Sequence, residues 1–149
     1  MKKKIVIFGA GSHSKVIFSE IIKLDNYNFI GFIDNFSNKG QVIIQHSNKK
    51  FLNLGSNDQF IKDLKRKKNS IYKNLYGIVG VGLNYKRKKI VNEIDRIYKN
   101  FKWETIISKN SILNGNIKIG DGTLILSEAD LYIKLGDRTK FKELMQLAV

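Results

Sequence analysis

Residues 4–15 read KIVIFGAGSHSK, and this stretch decides the fold. Its first half is a short apolar run rich in β-branched residues, which is typical of a buried parallel strand. Gly9 and Gly11 then predict a tight turn with no Cβ to block a phosphate that approaches the backbone. Ser12 or Ser14 is expected to cap the helix that starts next. Strand, turn and helix N-terminus together predict an anion site, because free N–H groups and the helix dipole face one point.

Length and composition indicate a globular chain without a membrane span. The 149 residues fit one domain, or a domain with an appendage, and 42% of them are hydrophobic. No segment approaches the roughly 20 apolar residues that a membrane span needs. The apolar run after the basic start ends at Phe8, which is too short for a signal peptide. The absence of cysteine excludes disulfides and zinc–thiolate sites, and we expect a cytoplasmic protein.

The net charge of +14 has two interpretations. One is a nucleic-acid or anionic membrane surface as partner. The other is the codon bias of an AT-rich genome, because 23 of the 27 basic residues are lysine, isoleucine and asparagine are abundant, and proline is absent. The lysines are also dispersed along most of the chain. We favour codon bias and predict no nucleic-acid partner.

The chain after the first turn alternates between helical spacing and apolar runs. We expect helices over about 16–24 and about 58–68, a third helix after Gly82 that includes 90–98, and strands at 29–34, 76–82 and 103–107. Residues 35–55 are expected to be mostly loop, with a short strand at 42–44. Alternating βα units predict a parallel sheet whose ligands lie at the carboxyl ends of the strands. Both glycine turns, at 9–11 and 80–82, and Asp34 fall at that edge.

A six-residue period begins at residue 107. The repeated aliphatic positions are Ile107, Leu113, Ile119, Ile125 and Leu131, and three of the four residues that lie four places after the first four are small (Ser111, Ile117, Thr123 and Ala129). This pattern is typical of the hexapeptide repeats of a β-helix, in which three hexads form one triangular coil. The next hexad, 135–140, is out of phase. Fewer than three coils predict an exposed apolar coil end, and hence trimerisation, aggregation or a disordered tail.

These two parts, in this order, resemble the sialic-acid O-acetyltransferase family, which includes bacillosamine-type N-acetyltransferases acting on UDP-linked amino sugars. The matching segments are residues 7–16, 30–34, 79–84 with Arg87, and 119–123. The resemblance implies an α/β fold, with a Rossmann-like parallel-sheet domain that binds a nucleotide sugar over 1–105. A truncated left-handed β-helix is implied over 106–149. Ser12 stands where the family usually has a third glycine, and its hydroxyl could bond to phosphate.

The resemblance also implies a sugar O- or N-acetyltransferase of surface-glycan biosynthesis that uses acetyl-CoA. In the family a histidine in the β-helix acts as the general base, whereas this chain has only His13 and His46. The coils that would bind acetyl-CoA are largely missing. We therefore expect a UDP-sugar-binding part that is catalytically incomplete, with no catalytic residue assigned. The family's homotrimer is implied, but the incomplete coils weaken this expectation.

Eleven residues are candidates for substrate binding: Gly9, Gly11, Ser12, His13, Lys15, Asp34, Asn35, Gly80, Gly82, Asn84 and Arg87. Asp34 either meets ribose hydroxyls or simply starts a turn with Asn35. His13 either contacts the ligand or bonds to nearby backbone, and Lys15 either pairs with phosphate or is solvated. Arg87 either forks onto a carboxylate or phosphate, or covers the surface of its helix.

Two other functions are compatible with parts of the sequence. An NAD(P)-binding Rossmann oxidoreductase is permitted by the glycine turn and Asp34. However, Ser14 replaces the third glycine of Gly-x-Gly-x-x-Gly, and no substrate domain follows. A basic nucleic-acid-binding module lacks any recognisable reading motif. No cluster of metal ligands is visible, so no metal is predicted.

Overall fold

The computed structural model describes residues 1–66, 70–126 and 130–132. In chain order the elements are β1 (Lys3–Phe8), α1 (Ser12–Leu24), β2 (Tyr27–Ile33), β3 (Val42–His46), β4 (Lys49–Leu52), α2 (Asn57–Arg66), a short 3-10 helix (Ser70–Tyr72), β5 (Leu75–Val79), α3 (Asn84–Ile97), β6 (Lys102–Trp103), β7 (Ile106–Ile107), β8 (Ile112–Asn114), β9 (Leu124–Ile125) and β10 (Asp130–Tyr132). None of the described helices combines the length and apolar character that crossing a bilayer requires.

Four parallel strands form the central sheet, in the order β2-β1-β5-β6. β1 lies in the middle, and its last four residues are fully buried. Its side chains alternate between the two faces, so Ile5 and Ile7 belong to one apolar cluster while Val6 and Phe8 belong to the other. α1 packs on the first face, and α2 and α3 pack on the second. The predicted α/β class with a parallel sheet is therefore confirmed.

The helices begin and end close to where the sequence predicted. α2 starts after Ser56, whose Oγ accepts a hydrogen bond from the N–H of Gln59 at 3.2 Å, which is the geometry of an N-cap. α1 ends at Asp25, which takes up the left-handed conformation with φ of 54°. Aspartate tolerates that conformation better than most residues do. Local chemistry thus accounts for the start of α2 and the end of α1.

An antiparallel hairpin, β3 with β4, occupies the region predicted to be mostly loop. The expected short strand is present, but its partner strand was not predicted. Ser47 and Asn48 connect the two, and both have positive φ, at 47° and 61°, as a two-residue hairpin turn requires. Phe51 of β4 is 5% exposed and packs its ring against Phe18 and Phe29. The hairpin therefore extends the first apolar cluster.

The single strand predicted over 103–107 is wrong, because the chain forms two short strands in different sheets. β6 pairs with β5, whereas β7 pairs with β9. Glu104 lies at the break: its N–H donates to the Gly77 carbonyl at 2.8 Å, and its buried carboxylate accepts from Lys3 Nζ and Tyr27 Oη. These partners fix the carboxylate at the start of the central sheet, so the chain turns away there.

Two small parallel ladders follow the central sheet. Ile106 pairs with Leu124, and Ile112 pairs with Asp130, an offset of 18 residues in both ladders. Three hexads have the same length. Of the repeated aliphatic residues, Ile125 is buried, whereas Leu113 is 41% exposed. Ala129 and the hexad predicted at 135–140 lie outside the described residues.

Candidate functional site

The turn between β1 and α1 requires glycine at position 9. Gly9 has φ of 107°, and a Cβ there would lie 3.1 Å from both Ser14 Oγ and Val81 Cγ2. Its N–H donates to the Ile33 carbonyl at 2.7 Å, which ties the turn to the end of β2. α1 then begins at Ser12 with Gly11 as its N-cap, and no described side chain caps it. The backbone N–H groups of its first turn therefore face outward without a side-chain acceptor.

The sequence predicted that Ser12 or Ser14 caps α1, but neither side chain does so. Ser14 is fully buried, and its Oγ donates a hydrogen bond to the Gly80 carbonyl at 2.8 Å. Gly80 is buried beneath it, and the structure gives this glycine a packing role between β5 and α1. The hydroxyl thus joins the two glycine turns, which explains why serine replaces the third glycine of the dinucleotide pattern.

Asp34 starts a turn at the end of β2, as one interpretation of the sequence held. Its Oδ2 accepts hydrogen bonds from the Ser37 N–H at 2.8 Å, from Ser37 Oγ at 2.7 Å and from the Phe36 N–H. The side-chain hydrogen bonds of Asp34 within the described residues all involve Oδ2. The neighbouring Asn35 Oδ1 accepts from the N–H of Asn57, the first residue of α2. Asn35 therefore positions α2 in this structure.

A cavity of about 420 Å³ brings several predicted residues together at this sheet edge. Its lining comprises Ala10, Gly11, Lys15, Asp34, Phe36, Ser37, Gln41, Val42 and Ile43. Phe36 is 94% exposed, although the Asp34 turn holds its backbone. Phe36, and Val42 and Ile43 of the hairpin, were not predicted from the sequence. The available signal for Phe36 was an aromatic residue two places after the acid that ends β2.

The turn between β5 and α3 is built around Arg87. This side chain is only 5% exposed, so of the two interpretations of Arg87 the one in which it covers the helix surface is wrong. Its Nη1 donates to the carbonyls of Val81 and Gly82, both at 2.9 Å, and its Nη2 donates to Asn84 Oδ1. α3 begins at Asn84 with Leu83 as N-cap, again without a described side-chain cap. The guanidinium thus binds its own loop.

His13 lies in the first turn of α1 and is half-buried. Burial lowers the pKa of its imidazole, and the positive charge of Arg87 lowers it further. The ring is therefore mainly neutral at pH 7 and can donate one hydrogen bond and accept another. The second histidine, His46, is exposed at the end of β3, where its ring lies against that of Phe18.

The N-termini of α1 and α3 open at the same edge, because the strands that precede them are neighbours in the sheet. The Ser14 hydrogen bond to the Gly80 carbonyl, and the 3.1 Å that would separate a Cβ at Gly9 from Val81 Cγ2, place the two turns side by side. Lys15 is exposed beside them. Two helix dipoles and unpaired backbone donors make this edge suited to an anion. Within residues 1–66, 70–126 and 130–132, no group of acidic, histidine or cysteine side chains could hold a metal ion.

Solved structures share this fold. The acetyltransferase domain of PglB from Neisseria gonorrhoeae, in complex with acetyl coenzyme A, matches with a TM-score of 0.66 and 23% identity over 85% of this chain and 54% of that one. A mutant of perosamine N-acetyltransferase from Caulobacter crescentus, in complex with CoA and GDP-perosamine, matches with a TM-score of 0.63 and 18% identity over 85% and 55%. The chain thus spans about half the length of these structures.

The family comparison covers most of the sheet domain. The model of the PglD N-terminal domain matches residues 4–94, which include both glycine turns, Asp34 and Arg87. No curated protein sequence matches the chain. The match confirms, over the sheet domain, the family resemblance that the sequence motifs indicate. This chain belongs to the family of the PglD N-terminal domain.

Proposed function

We propose that this chain is the nucleotide-sugar-binding part of a sugar acetyltransferase. The proposal rests on one observation: α1 and α3 begin side by side at one edge of the sheet, next to a cavity of about 420 Å³. A nucleoside diphosphate sugar has the matching chemistry, because its diphosphate is an anion and its nucleoside is a polar group with one flat aromatic face. UDP-sugars are our first choice, and the GDP-perosamine held by a structural neighbour makes GDP-sugars the next.

The cavity and the two helix N-termini beside it offer a matching group for each part of such a ligand. The diphosphate would lie at the helix N-termini, where the exposed Lys15 adds a positive charge. Oδ1 of Asp34 can accept from ribose hydroxyls while Oδ2 keeps the turn in place. The exposed ring of Phe36 offers a surface on which a base can stack. His13 would contact the phosphate or the sugar as a neutral hydrogen-bonding group.

The region after residue 105 is proposed to be the start of a left-handed β-helix. The 18-residue offset of both small ladders supports this, because one coil of three hexads has that length. Acetyl-CoA use follows from the family and from the neighbour that holds acetyl coenzyme A. Histidine occurs only at positions 13 and 46 of the sequence. We therefore expect these 149 residues to bind a sugar nucleotide but to transfer acetyl groups very slowly or not at all.

Thermal unfolding with and without ligand tests the proposal. A native-state ligand at about ten times its Kd adds about 1.4 kcal/mol, which raises Tm by about 4 °C for a chain of this size. We expect UDP-N-acetylglucosamine or GDP-mannose at millimolar concentration to produce such a rise and NAD to produce none. Lys15→Met should reduce the rise, whereas Lys118→Met, an equal charge change at an exposed residue in the repeat region, should not. A rise with NAD alone would favour the oxidoreductase alternative.

A further inference from the structure

We infer that Arg87 is a positioning residue, which orients two peptide groups of the β5–α3 turn so that their N–H groups face a phosphate. The inference rests on the proposed binding of a sugar nucleotide and adds a role that Arg87 performs through the backbone of its own turn. Arg87 was expected to reach the ligand itself. Its Nη1 instead lies 2.9 Å from the carbonyl oxygens of both Val81 and Gly82.

The direction of the two carbonyls determines the direction of two N–H groups. In a trans peptide the C=O of one residue and the N–H of the next point to opposite sides. No cis peptide occurs among the described residues. Because Arg87 draws in the carbonyls of Val81 and Gly82, the N–H groups of Gly82 and Leu83 point away from the guanidinium. Arg87 thereby fixes the orientation of two consecutive donors.

Both donors belong to exposed residues. Gly82 and Leu83 are exposed, the latter at 52%, and a Cβ on Gly82 would meet nothing within 4 Å. In the part of the chain that the structure describes, no carbonyl or side chain accepts a hydrogen bond from either N–H. Consecutive outward N–H groups form the kind of concavity that binds anions in phosphate-binding loops. The uncapped N-terminus of α3 follows immediately and adds its dipole.

The charge of Arg87 supports the same orientation. The guanidinium stays protonated, and from behind the two peptide groups it adds positive potential to the face that they present. Its field extends to the neighbouring turn, where it helps to lower the pKa of His13. Lysine could supply the charge, but its single ammonium group has no planar fork to hold the two carbonyls and Asn84 Oδ1 in fixed directions. The role therefore requires arginine geometry as well as charge.

Amide NMR of the full 149-residue chain tests this role, with inorganic pyrophosphate as the probe. We expect pyrophosphate to shift the amide protons of Gly82 and Leu83 downfield, as hydrogen bonding to an anion does. Arg87→Met should abolish these shifts and weaken pyrophosphate binding about tenfold or more, as expected when hydrogen bonds to a charged group are lost. Arg96→Met is the matched control, since Arg96 is an exposed arginine on the same helix. It should change the affinity less than twofold.

The conservative variant separates positioning from charge alone. Arg87→Lys should behave like Arg87→Met, so binding by Arg87→Lys at the wild-type level would overturn the inference. Wild-type Gly82 and Leu83 amides that do not respond to pyrophosphate would also overturn it, and this measurement needs no variant to fold. If a UDP-sugar raises Tm while these amides stay unmoved, the inference fails and the proposed function stands. If pyrophosphate moves them but no sugar nucleotide binds, the proposed function fails and the inference stands.

Discussion

Replacing Gly80 by alanine tests the packing that joins the two glycine turns. A Cβ at position 80 would lie 2.8 Å from Ile7 Cγ2, 2.9 Å from Ser14 Cα and closer still to Ser14 Oγ. Overpacking of a tight site costs about 1–3 kcal/mol, and disturbing the buried Ser14–Gly80 hydrogen bond adds about 1 kcal/mol. We therefore expect Gly80→Ala to lower the free energy of unfolding by about 2–4 kcal/mol.

Urea unfolding followed by circular dichroism measures this change. With an m-value of about 2 kcal/mol/M, the midpoint should fall by about 1–2 M. Gly82→Ala is the matched control, because a Cβ there meets nothing within 4 Å, and we expect a change within about 0.5 kcal/mol. Adding Ser14→Ala to Gly80→Ala should restore part of the loss, since the closest clashing atom is then absent. A Gly80→Ala midpoint equal to the wild type would refute the proposed packing of the two turns.

Three further predictions concern the same sheet edge. Phe36→Ala should weaken sugar-nucleotide binding about fivefold or more in calorimetric titrations, because base stacking is lost. The Tm of the free chain should stay unchanged, since Phe36 is 94% exposed. Unchanged affinity would exclude a stacking role. Asn53→Ala should lower the free energy of unfolding, measured with urea, by about 2–4 kcal/mol. The buried Asn53 amide donates to the carbonyls of Asp34 and Ser37 and accepts from the Gly55 N–H, and all three bonds would be lost. A change below about 1 kcal/mol would contradict this. Because the pKa of His13 is lower in the folded chain, its neutral form contributes stability above about pH 6.5, the pKa in the unfolded chain. That contribution is lost as the pH falls toward the pKa in the folded chain. The urea midpoints at pH 7.5 and pH 5 should therefore differ less in His13→Asn than in the wild type.

The parts of the fold that depend on local chemistry could be predicted from the sequence. The apolar run that ends at Phe8 and the two glycines after it specify a strand and a turn without reference to the rest of the chain. Ser56 begins α2 for a similarly local reason, through its hydrogen bond to Gln59. The alternation of such units then implies the parallel sheet. Positions of helices and strands in the sheet domain followed from these signals.

The errors arose where a distant partner decides the structure. The hairpin depends on Phe51 finding the rings of Phe18 and Phe29, and its turn residues Ser47 and Asn48 are too common in loops to predict it alone. The break at Glu104 depends on Lys3, about a hundred residues earlier in the chain. Neither the contact of Phe51 with the two rings nor that of Glu104 with Lys3 can be predicted from periodicity in the sequence.

Three of the eleven candidate site residues lie together in the structure. Gly11, Lys15 and Asp34 do line one cavity, as the sheet-edge argument implied. The role of Arg87 could not be read from its position in the sequence, because the other four basic residues of α3 are all exposed and nothing local marks Arg87 as buried. Only the fold of the turn shows that its guanidinium binds backbone carbonyls.

The most direct test of the proposed function is to titrate the ¹⁵N-labelled chain with UDP-N-acetylglucosamine or GDP-mannose and to map the amides that shift. Saturable shifts should concentrate at residues 10–15, 34–37 and 82–84, where the two helix N-termini and the cavity lie. A folded chain that shows no shifts at millimolar ligand, or shifts confined to the outer face of α3, would contradict nucleotide-sugar binding at this edge.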